Sequence, residues 1–193
     1  QIQILTSNIN LKIIIPIIFS FILVFLLCFF TLEHVKFRIM NFFFSEVGDN
    51  YQISKSLDSF ENGGLFGKGI GEGTIAKNLP DVHSDFIFAL IGEELGGGFA
   101  ILIIGVYIAI YIRIHIISQR SNNFFIVNAL TGLANIFIFQ AIINISSSLN
   151  IIPTKGMTLP FISYGGSSFI SSSIIVGFIS VSYTHLRAHE TRS

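Results

Sequence analysis

The sequence is poor in charge, in cysteine and in tryptophan. Only 11% of its 193 residues are charged, whereas a soluble domain carries about 25%. With 51% hydrophobic residues and a mean hydropathy of +0.74, this deficit indicates a membrane protein. The single cysteine, Cys28, lies in an apolar run and excludes an intrachain disulfide. The formal net charge of zero provides no basic field for nucleic acid, which we do not expect as a partner.

Four apolar runs are long enough to cross a bilayer, which takes about 20 helical residues. They cover residues 13–30, 92–112, 124–145 and 161–181. Because backbone polar groups in lipid must pair within their own segment, we expect an all-α, polytopic transmembrane bundle. A large soluble helical core is the alternative, and apolar runs of this length argue against it.

Basic residues in the short loops predict how the spans are oriented. Arg113 and Arg120 lie between the second and third runs, and Lys12 precedes the first. Because cytoplasmic loops carry an excess of Lys and Arg, these ends are expected in the cytoplasm. Residues 33–85 and 146–160 then form two outer loops on the same face, where they can build one site.

The two ends of the chain differ from its centre. The chain begins with Gln1 and not with Met, so we interpret it as a fragment whose start is missing. Residues 182–193 change composition abruptly and resemble a translated sequencing adapter. We therefore expect residues 1–181 to form the transmembrane domain and residues 182–193 to be a non-native tail, with a genuine cytoplasmic tail as the alternative.

The first outer loop contains the glycine-rich segment "ENGGLFGKGIGEG", Glu61 to Gly73. A phosphate-binding P-loop is excluded, because Gly69 follows Lys68 where that motif needs Ser or Thr, and no strand precedes it. The pattern instead predicts a turn at the membrane surface in which the glycines accept positive φ angles. Its backbone amides could still meet a lipid pyrophosphate, and Lys68 and Glu72 are candidate substrate-binding residues.

The segment "LPDVHSDFIFALIGEELG" places ionisable groups directly before an apolar run. Asp85, or Ser84 beside it, can be the N-cap of a helix. Alternatively, Asp85 is a general base at the edge of the membrane, with His83 beside it as a substrate contact. A third interpretation is that Asp81, His83 and Asp85 hold a divalent cation such as Mg²⁺ or Mn²⁺.

Glu93 and Glu94 stand at the entrance of the second apolar run. Ionisable groups at this depth usually face protein or water, so we predict interhelical pairing that fixes the helix entrance. Gly92 and residues 96–98 would allow another helix to approach closely.

The second outer loop belongs to the segment "NIIPTKGMTLPFISYGGSS", in which Pro153 and Pro160 bracket a turn. Lys155 lies in this turn and can attract a phosphate head group, or it can extend along the interface to reach water. Ser163 and Ser167 are predicted to serve helix packing first and substrate binding second.

The three quoted segments together resemble the SEDS family of shape, elongation, division and sporulation proteins, and "PTKGMTLP" is closer to its division members than to its elongation members. The resemblance implies an enzyme of the bacterial inner membrane that polymerises lipid II into peptidoglycan strands with inversion. It also implies that Asp85 deprotonates the GlcNAc 4-hydroxyl of the acceptor and that Lys155 lies near the departing pyrophosphate. The implied partners are lipid II, membrane lipids, a class B penicillin-binding transpeptidase and other division proteins.

Some features depart from the family pattern. The upstream spans are expected to be missing, Gly97 and Gly98 stand where bulkier residues are usual, and the suspect tail is expected to replace the family's own end. A fragment of this kind can be inactive on its own. Two alternative functions are a lipid II flippase and a non-catalytic membrane scaffold for a transpeptidase.

Overall fold

The computed structural model describes residues 11–44, 50–119, 123–153 and 156–190, which contain helices and turns but no strand. The α-helices are α1 (Leu11–Thr31), α2 (Glu33–Phe44), α3 (Asn50–Gly63), α4 (Ile87–Glu94), α5 (Gly96–Ser118), α6 (Phe124–Ser148) and α7 (Gly166–Glu190). A short 3₁₀ turn spans Ala76–Asn78. The prediction of an all-α fold is confirmed.

The chain divides into two compact units, residues 1–48 and residues 49–193. In the first unit, α1 is followed by α2 after Leu32, whose carbonyl accepts hydrogen bonds from the amides of Val35 (3.0 Å) and Lys36 (3.1 Å). Every candidate site residue belongs to the second unit. The site can therefore be described from residues 49–193 alone.

An antiparallel pair, α5 and α6, forms the core of the second unit. Tyr107 packs against Phe137 with tilted rings whose centroids are 5.8 Å apart, while Ile114 and Leu130 belong to another buried cluster. Since the later residue of α5 meets the earlier residue of α6, the two helices run in opposite directions. Both helices are long and apolar enough to cross a membrane, and Ile15–Thr31 and Gly166–Ser182 are shorter apolar stretches.

The predicted outer loop 33–85 is largely helical, which the sequence analysis did not anticipate. Besides α2, it contains α3, whose buried residues Ser56, Ser59 and Gly63 share one face. The Ser56 hydroxyl donates a hydrogen bond to the Ser148 carbonyl at 2.6 Å and so ties α3 to the end of α6. The same helix carries Ile53, Leu57 and Phe60 at helical spacing, and Phe60 packs against two buried clusters, so α3 is amphipathic.

The predicted span 92–112 is interrupted at its start. Helix α4 ends at Glu94, and α5 begins at Gly96, which has a φ of 87°. The amides of Gly97 and Gly98 donate to the Gly64 and Leu65 carbonyls at 2.8 and 3.1 Å. The glycine-rich loop, and not another helix, therefore approaches Gly97 and Gly98. Gly92 is approached by another helix as predicted, since a Cβ there would lie 2.3 Å from the Phe60 ring of α3.

The last apolar helix begins later than the predicted residue 161. Residues 161–165 form a turn, and α7 starts at Gly166 and continues to Glu190. Phe161 has a φ of 63°, a left-handed conformation that interrupts a right-handed helix. This delay leaves residues 156–165 as a non-helical segment between α6 and α7.

Candidate active site

Asp85 lies in a tight turn immediately before α4. The amides of Ser84 and Asp85 both donate to the Asp81 carbonyl, at 3.0 and 2.9 Å, and Asp81 has a φ of 53°. Aspartate tolerates this left-handed conformation better than most residues. Val82 within this turn and Phe86 directly after it are buried, so the backbone is anchored while the Asp85 side chain remains partly exposed.

The alternative that Asp85 or Ser84 caps the helix is wrong. The N-cap of α4 is Phe86, and no side chain caps it. The Ser84 hydroxyl donates instead to the Asp81 carbonyl at 3.2 Å. Within the described residues, no hydrogen bond to the Asp85 carboxylate is found, which leaves the carboxylate available to a ligand.

Residues 156–165 form a second turn that is also firmly held. The hydroxyl of Tyr107 on α5 donates to the carbonyl of the buried Pro160 at 2.5 Å. Gln140 on α6 donates to the Thr158 carbonyl at 3.1 Å, and the Thr158 hydroxyl donates to Ser168 on α7 at 2.6 Å. Three helices therefore fix this turn.

The two turns contact each other through several polar interactions. The Ser163 hydroxyl donates to the Ser84 carbonyl at 2.5 Å, and the Tyr164 amide donates to the His83 carbonyl at 2.8 Å. A Cβ atom added to Gly156 would lie 3.0 Å from Asp85 Oδ2. The structure thus brings the Asp85 carboxylate beside the segment that follows Lys155.

Asn144 on α6 forms side-chain hydrogen bonds to both of these turns. Its Nδ2 donates to the Asp85 carbonyl at 3.0 Å and to the Met157 carbonyl at 2.6 Å. The residue is fully buried on α6. Asn144 could not be assigned to the site from the sequence, because an apolar helix with several polar residues does not reveal which of them faces the site.

The predicted substrate-binding serines have different environments. The Ser163 hydroxyl is occupied by protein groups, since it donates to Ser84 and accepts from the Leu159 amide at 2.7 Å. It is therefore a structural link between the turns. Ser167 is exposed in the first turn of α7. Lys155 lies outside the described residues.

The predicted metal ligands Asp81, His83 and Asp85 are not gathered into a cation site. Within residues 11–44, 50–119, 123–153 and 156–190, no three His, Cys, Asp or Glu side chains form a group that fits a metal ion. Asp81 and His83 are exposed, and the His83 contact at this site is through its backbone carbonyl. This arrangement does not support the predicted ligand set.

The glycine-rich loop is pinned to the break between α4 and α5. The amides of Lys68 and Gly69 donate to the Glu93 and Glu94 carbonyls, at 3.0 and 2.9 Å. A Cβ on Gly67, whose φ is 75°, would lie 2.3 Å from the Glu94 carbonyl oxygen. The side chains of Lys68 and Glu72 are exposed, and no described contact connects either of them to Asp85.

Glu93 is fully buried and organises this loop. Its Oε1 accepts from Asn62 Nδ2 (2.6 Å), the Thr74 amide (2.9 Å) and the Ile75 amide (3.0 Å), and its Oε2 accepts from the Ala76 amide (2.7 Å). Burial raises the pKa of Glu93, but these hydrogen bonds outweigh it and hold the pKa below its ordinary value. The predicted interhelical pairing is present in one of the four bonds, which comes from Asn62 on α3. The other three bonds come from backbone amides of the loop and were not predicted.

Glu94 has a different environment from Glu93. It is partly exposed, and its side chain lies beside Gly73, where an added Cβ would be 3.1 Å from the Glu94 Cγ. Among the described residues, none donates a hydrogen bond to the Glu94 carboxylate. Of the two neighbouring glutamates, Glu93 alone is thus built into the structure by charge-assisted bonds.

Comparison with known proteins gives a consistent result for sequence and fold. The family model FTSW_RODA_SPOVE, described as "Cell cycle protein", matches residues 2–188. A probable peptidoglycan glycosyltransferase FtsW of Caulobacter vibrioides is 40% identical over 149 residues, which is 77% of this chain and 38% of that protein. The corresponding protein of Coxiella burnetii is 42% identical over 139 residues, or 69% of this chain and 37% of that protein.

The chain therefore spans little more than a third of the length of these curated relatives. A solved chain from "Structural coordination of polymerization and crosslinking by a peptidoglycan synthase complex" superposes with a TM-score of 0.70. The match covers 94% of this chain and 51% of the solved chain, at 18% identity. At that identity, the likeness shows a shared fold.

Proposed function

This chain belongs to the FTSW_RODA_SPOVE family of cell cycle proteins, and we propose that it carries the catalytic base of a peptidoglycan glycosyltransferase. The family and the two long apolar helices identify a membrane protein. In the proposal, the whole protein polymerises lipid II into glycan strands during cell division. The relatives from Caulobacter and Coxiella, whose printed names give this activity, support it.

The observation that carries the proposal is the contact between the Asp85 turn and the 156–165 turn. Asp85 keeps a partly exposed carboxylate on an anchored backbone, with Gly156 directly beside it. A general base must have this combination, since its side chain needs access to substrate and its position must be fixed. The side chains of Lys68 and Glu72 are also exposed, but no described contact connects either of them to the Asp85 turn or the 156–165 turn.

In the proposed reaction, Asp85 accepts the proton of the acceptor's GlcNAc 4-hydroxyl. That oxygen forms a bond to the MurNAc anomeric carbon of the donor while the bond from this carbon to the pyrophosphate oxygen breaks. The configuration inverts, and undecaprenyl pyrophosphate leaves with the bonding electrons. Lys155, which directly precedes Gly156 in the sequence, is proposed to stabilise the negative charge of this leaving group.

The proposed location is the outer face of the bacterial inner membrane. Because α5 and α6 are antiparallel, the start of α5 and the end of α6 lie at one end of the pair, and Arg113 lies toward the other. By the positive-inside rule, the end near Arg113 is cytoplasmic. The Asp85 turn, which is bonded to Asn144 near the end of α6, is then extracytoplasmic.

The proposed partner is a class B penicillin-binding transpeptidase, together with other division proteins. The solved chain with the same fold comes from a peptidoglycan synthase complex in which polymerization and crosslinking are coordinated. A polymerase of this family would supply glycan strands to the crosslinking enzyme.

The test uses the full-length protein that contains this chain, with fluorescently labelled lipid II in detergent and glycan products resolved on a gel. Asp85→Asn removes the base while keeping the side chain's shape, so polymer formation should fall about 10²–10⁴-fold. The matched control is Asp58→Asn, which neutralises an exposed carboxylate 3.9 Å from Lys55 Nζ and should retain activity. Full activity in Asp85→Asn would refute the proposal.

The same protein, reconstituted in vesicles, separates the two alternative functions. A flippase would translocate lipid II and would form no polymer. A scaffold would show neither activity and would copurify with its transpeptidase.

A further inference from the structure

We propose that Asn144 is the positioning residue that holds the Asp85 turn against the 156–165 turn. The catalytic consequence rests on the proposed function, whereas the structural consequence can be measured without it. Asn144 lies on α6, a helix of 25 residues that runs through the core of the second unit. Its side chain is completely buried, although asparagine is seldom buried without a specific partner.

The contacts of Asn144 explain why an amide is needed at this position. Nδ2 carries two hydrogens, and each one is directed to a different turn, one to the Asp85 carbonyl (3.0 Å) and one to the Met157 carbonyl (2.6 Å). Two carbonyl acceptors determine the orientation of the amide, since a flipped amide would place oxygen against oxygen. Among the described residues, Asn144 is the side chain that bonds to the backbone of Asp85 itself.

The oxygen of the Asn144 amide makes an unfavourable contribution to the free energy of folding. Asn144 Oδ1 is buried and has no hydrogen-bond partner within the described residues. A buried polar atom without a partner is unfavourable, and an apolar residue would avoid that cost. The two donated bonds are the contribution that an apolar residue cannot make.

The neighbouring links between the turns act at other points. Ser163 and the Tyr164 amide bond to the carbonyls of Ser84 and His83. These bonds hold the two residues before Asp85. Loss of the Asn144 side chain should therefore free the backbone of Asp85 to move, while the two turns stay in contact. A displacement of about 1 Å at a catalytic group can lower the rate roughly 10²-fold.

The structural test is a disulfide cross-link between the two turns in the 193-residue chain. The background is Cys28→Ser, which removes the single native cysteine, and the added pair is Asp85→Cys with Gly156→Cys. Asn144→Leu should slow disulfide formation about tenfold, because the two turns are no longer held at a common point. Asn144→Asp, which keeps the shape but lacks both amide hydrogens, should slow it as well.

The matched control is Asn135→Leu. Asn135 lies on the same helix and accepts a hydrogen bond from the Tyr111 hydroxyl at 3.0 Å, but no described bond joins it to either turn. It should leave the cross-linking rate unchanged. Thermal unfolding identifies any variant that fails to fold, and Asn144→Asp provides the second variant if Asn144→Leu does so.

The catalytic test uses the full-length protein with labelled lipid II. Asn144→Asp should lower kcat about 10–100-fold with KM within about threefold, because it misplaces the base without removing substrate contacts. A cross-linking rate equal to wild type in both Asn144 variants would overturn the proposal, as would an unchanged kcat. Absence of polymer from the wild-type protein would refute the proposed function, and the cross-linking rates would still decide whether Asn144 holds the turn.

Discussion

The buried carboxylate of Glu93 provides the sharpest stability prediction, with Glu93→Gln as the perturbation. Glutamine can keep its oxygen at the position of Oε1, where three donors converge, but its NH₂ group then faces the Ala76 amide. One charge-assisted bond is replaced by two opposed donors, and the other three bonds become neutral. Relief of the buried charge offsets part of this loss, so we expect a net destabilisation of about 2–4 kcal/mol.

The assay combines thermal unfolding of the chain in detergent with hydrogen exchange of the amides in residues 74–76. Glu93→Gln should lower Tm and should increase exchange at these amides, because they lose their acceptor. Glu94→Gln is the matched control, since Glu94 is adjacent, partly exposed and without a described side-chain hydrogen bond. If both variants have the same Tm and the same exchange rates, the reasoning is refuted.

The pH dependence of this effect follows from the lowered pKa of Glu93. A carboxylate with a depressed folded-state pKa contributes stability above its unfolded-state pKa and loses that contribution as pH falls through the folded-state value. The difference in stability between wild type and Glu93→Gln should therefore be constant near neutral pH. It should decrease as the pH is lowered below about 4.5, the usual range for glutamate.

Two further substitutions test the loop and the second turn. Gly96→Ala should prevent stable folding, since its Cβ would lie 2.4 Å from the Gly67 amide nitrogen at a φ of 87°. Gly97→Ala should be tolerated, because its Cβ would lie 3.4 Å from the Gly64 carbonyl oxygen. Expression and Tm in detergent distinguish the two variants. Tyr107→Phe removes the 2.5 Å hydrogen bond to the Pro160 carbonyl and should cost about 1–3 kcal/mol, because a buried acceptor loses its donor; an unchanged Tm would contradict this.

The helical class could be predicted from the sequence because long apolar runs leave few structural choices. The core residues of α5 and α6 lie within two such runs. Helix α3 was missed although Ile53, Leu57 and Phe60 recur at helical spacing, because these three apolar residues lie in an otherwise polar segment that was interpreted as a loop. The break before α5 was also missed, because it depends on Gly96 and on bonds from a loop about thirty residues earlier.

The candidate site was only partly predictable. Asp85 was selected from its position and from the family resemblance, but neither gave its backbone contacts with Asn144 and Ser163. The role of Glu93 could not be derived from local sequence, since three of its four donors are backbone amides, and an amide is present at nearly every residue. The assignments to substrate binding remain predictions for His83, Lys155, Lys68, Glu72, Ser163 and Ser167.

The central claim is that the Asp85 carboxylate lies directly beside the 156–165 turn. In the Cys28→Ser chain, the Asp85→Cys sulfur would take roughly the place of Asp85 Cγ, which lies 3.7 Å from a Cβ at position 156. The control pair is Arg113→Cys with Gly156→Cys. Arg113 adjoins Ile114, which belongs to the same buried cluster as Ala134 on α6, and Ala134 is about 15 Å along the helix from Asn144.

The most direct measurement is the number of free thiols after mild oxidation in detergent, read from the gel shift produced by a polyethylene glycol maleimide. The account predicts that the Asp85→Cys/Gly156→Cys chain loses both thiols in an intramolecular disulfide, while the Arg113→Cys/Gly156→Cys chain keeps both. Two free thiols in the first chain, in protein that is folded by thermal unfolding, would contradict the account.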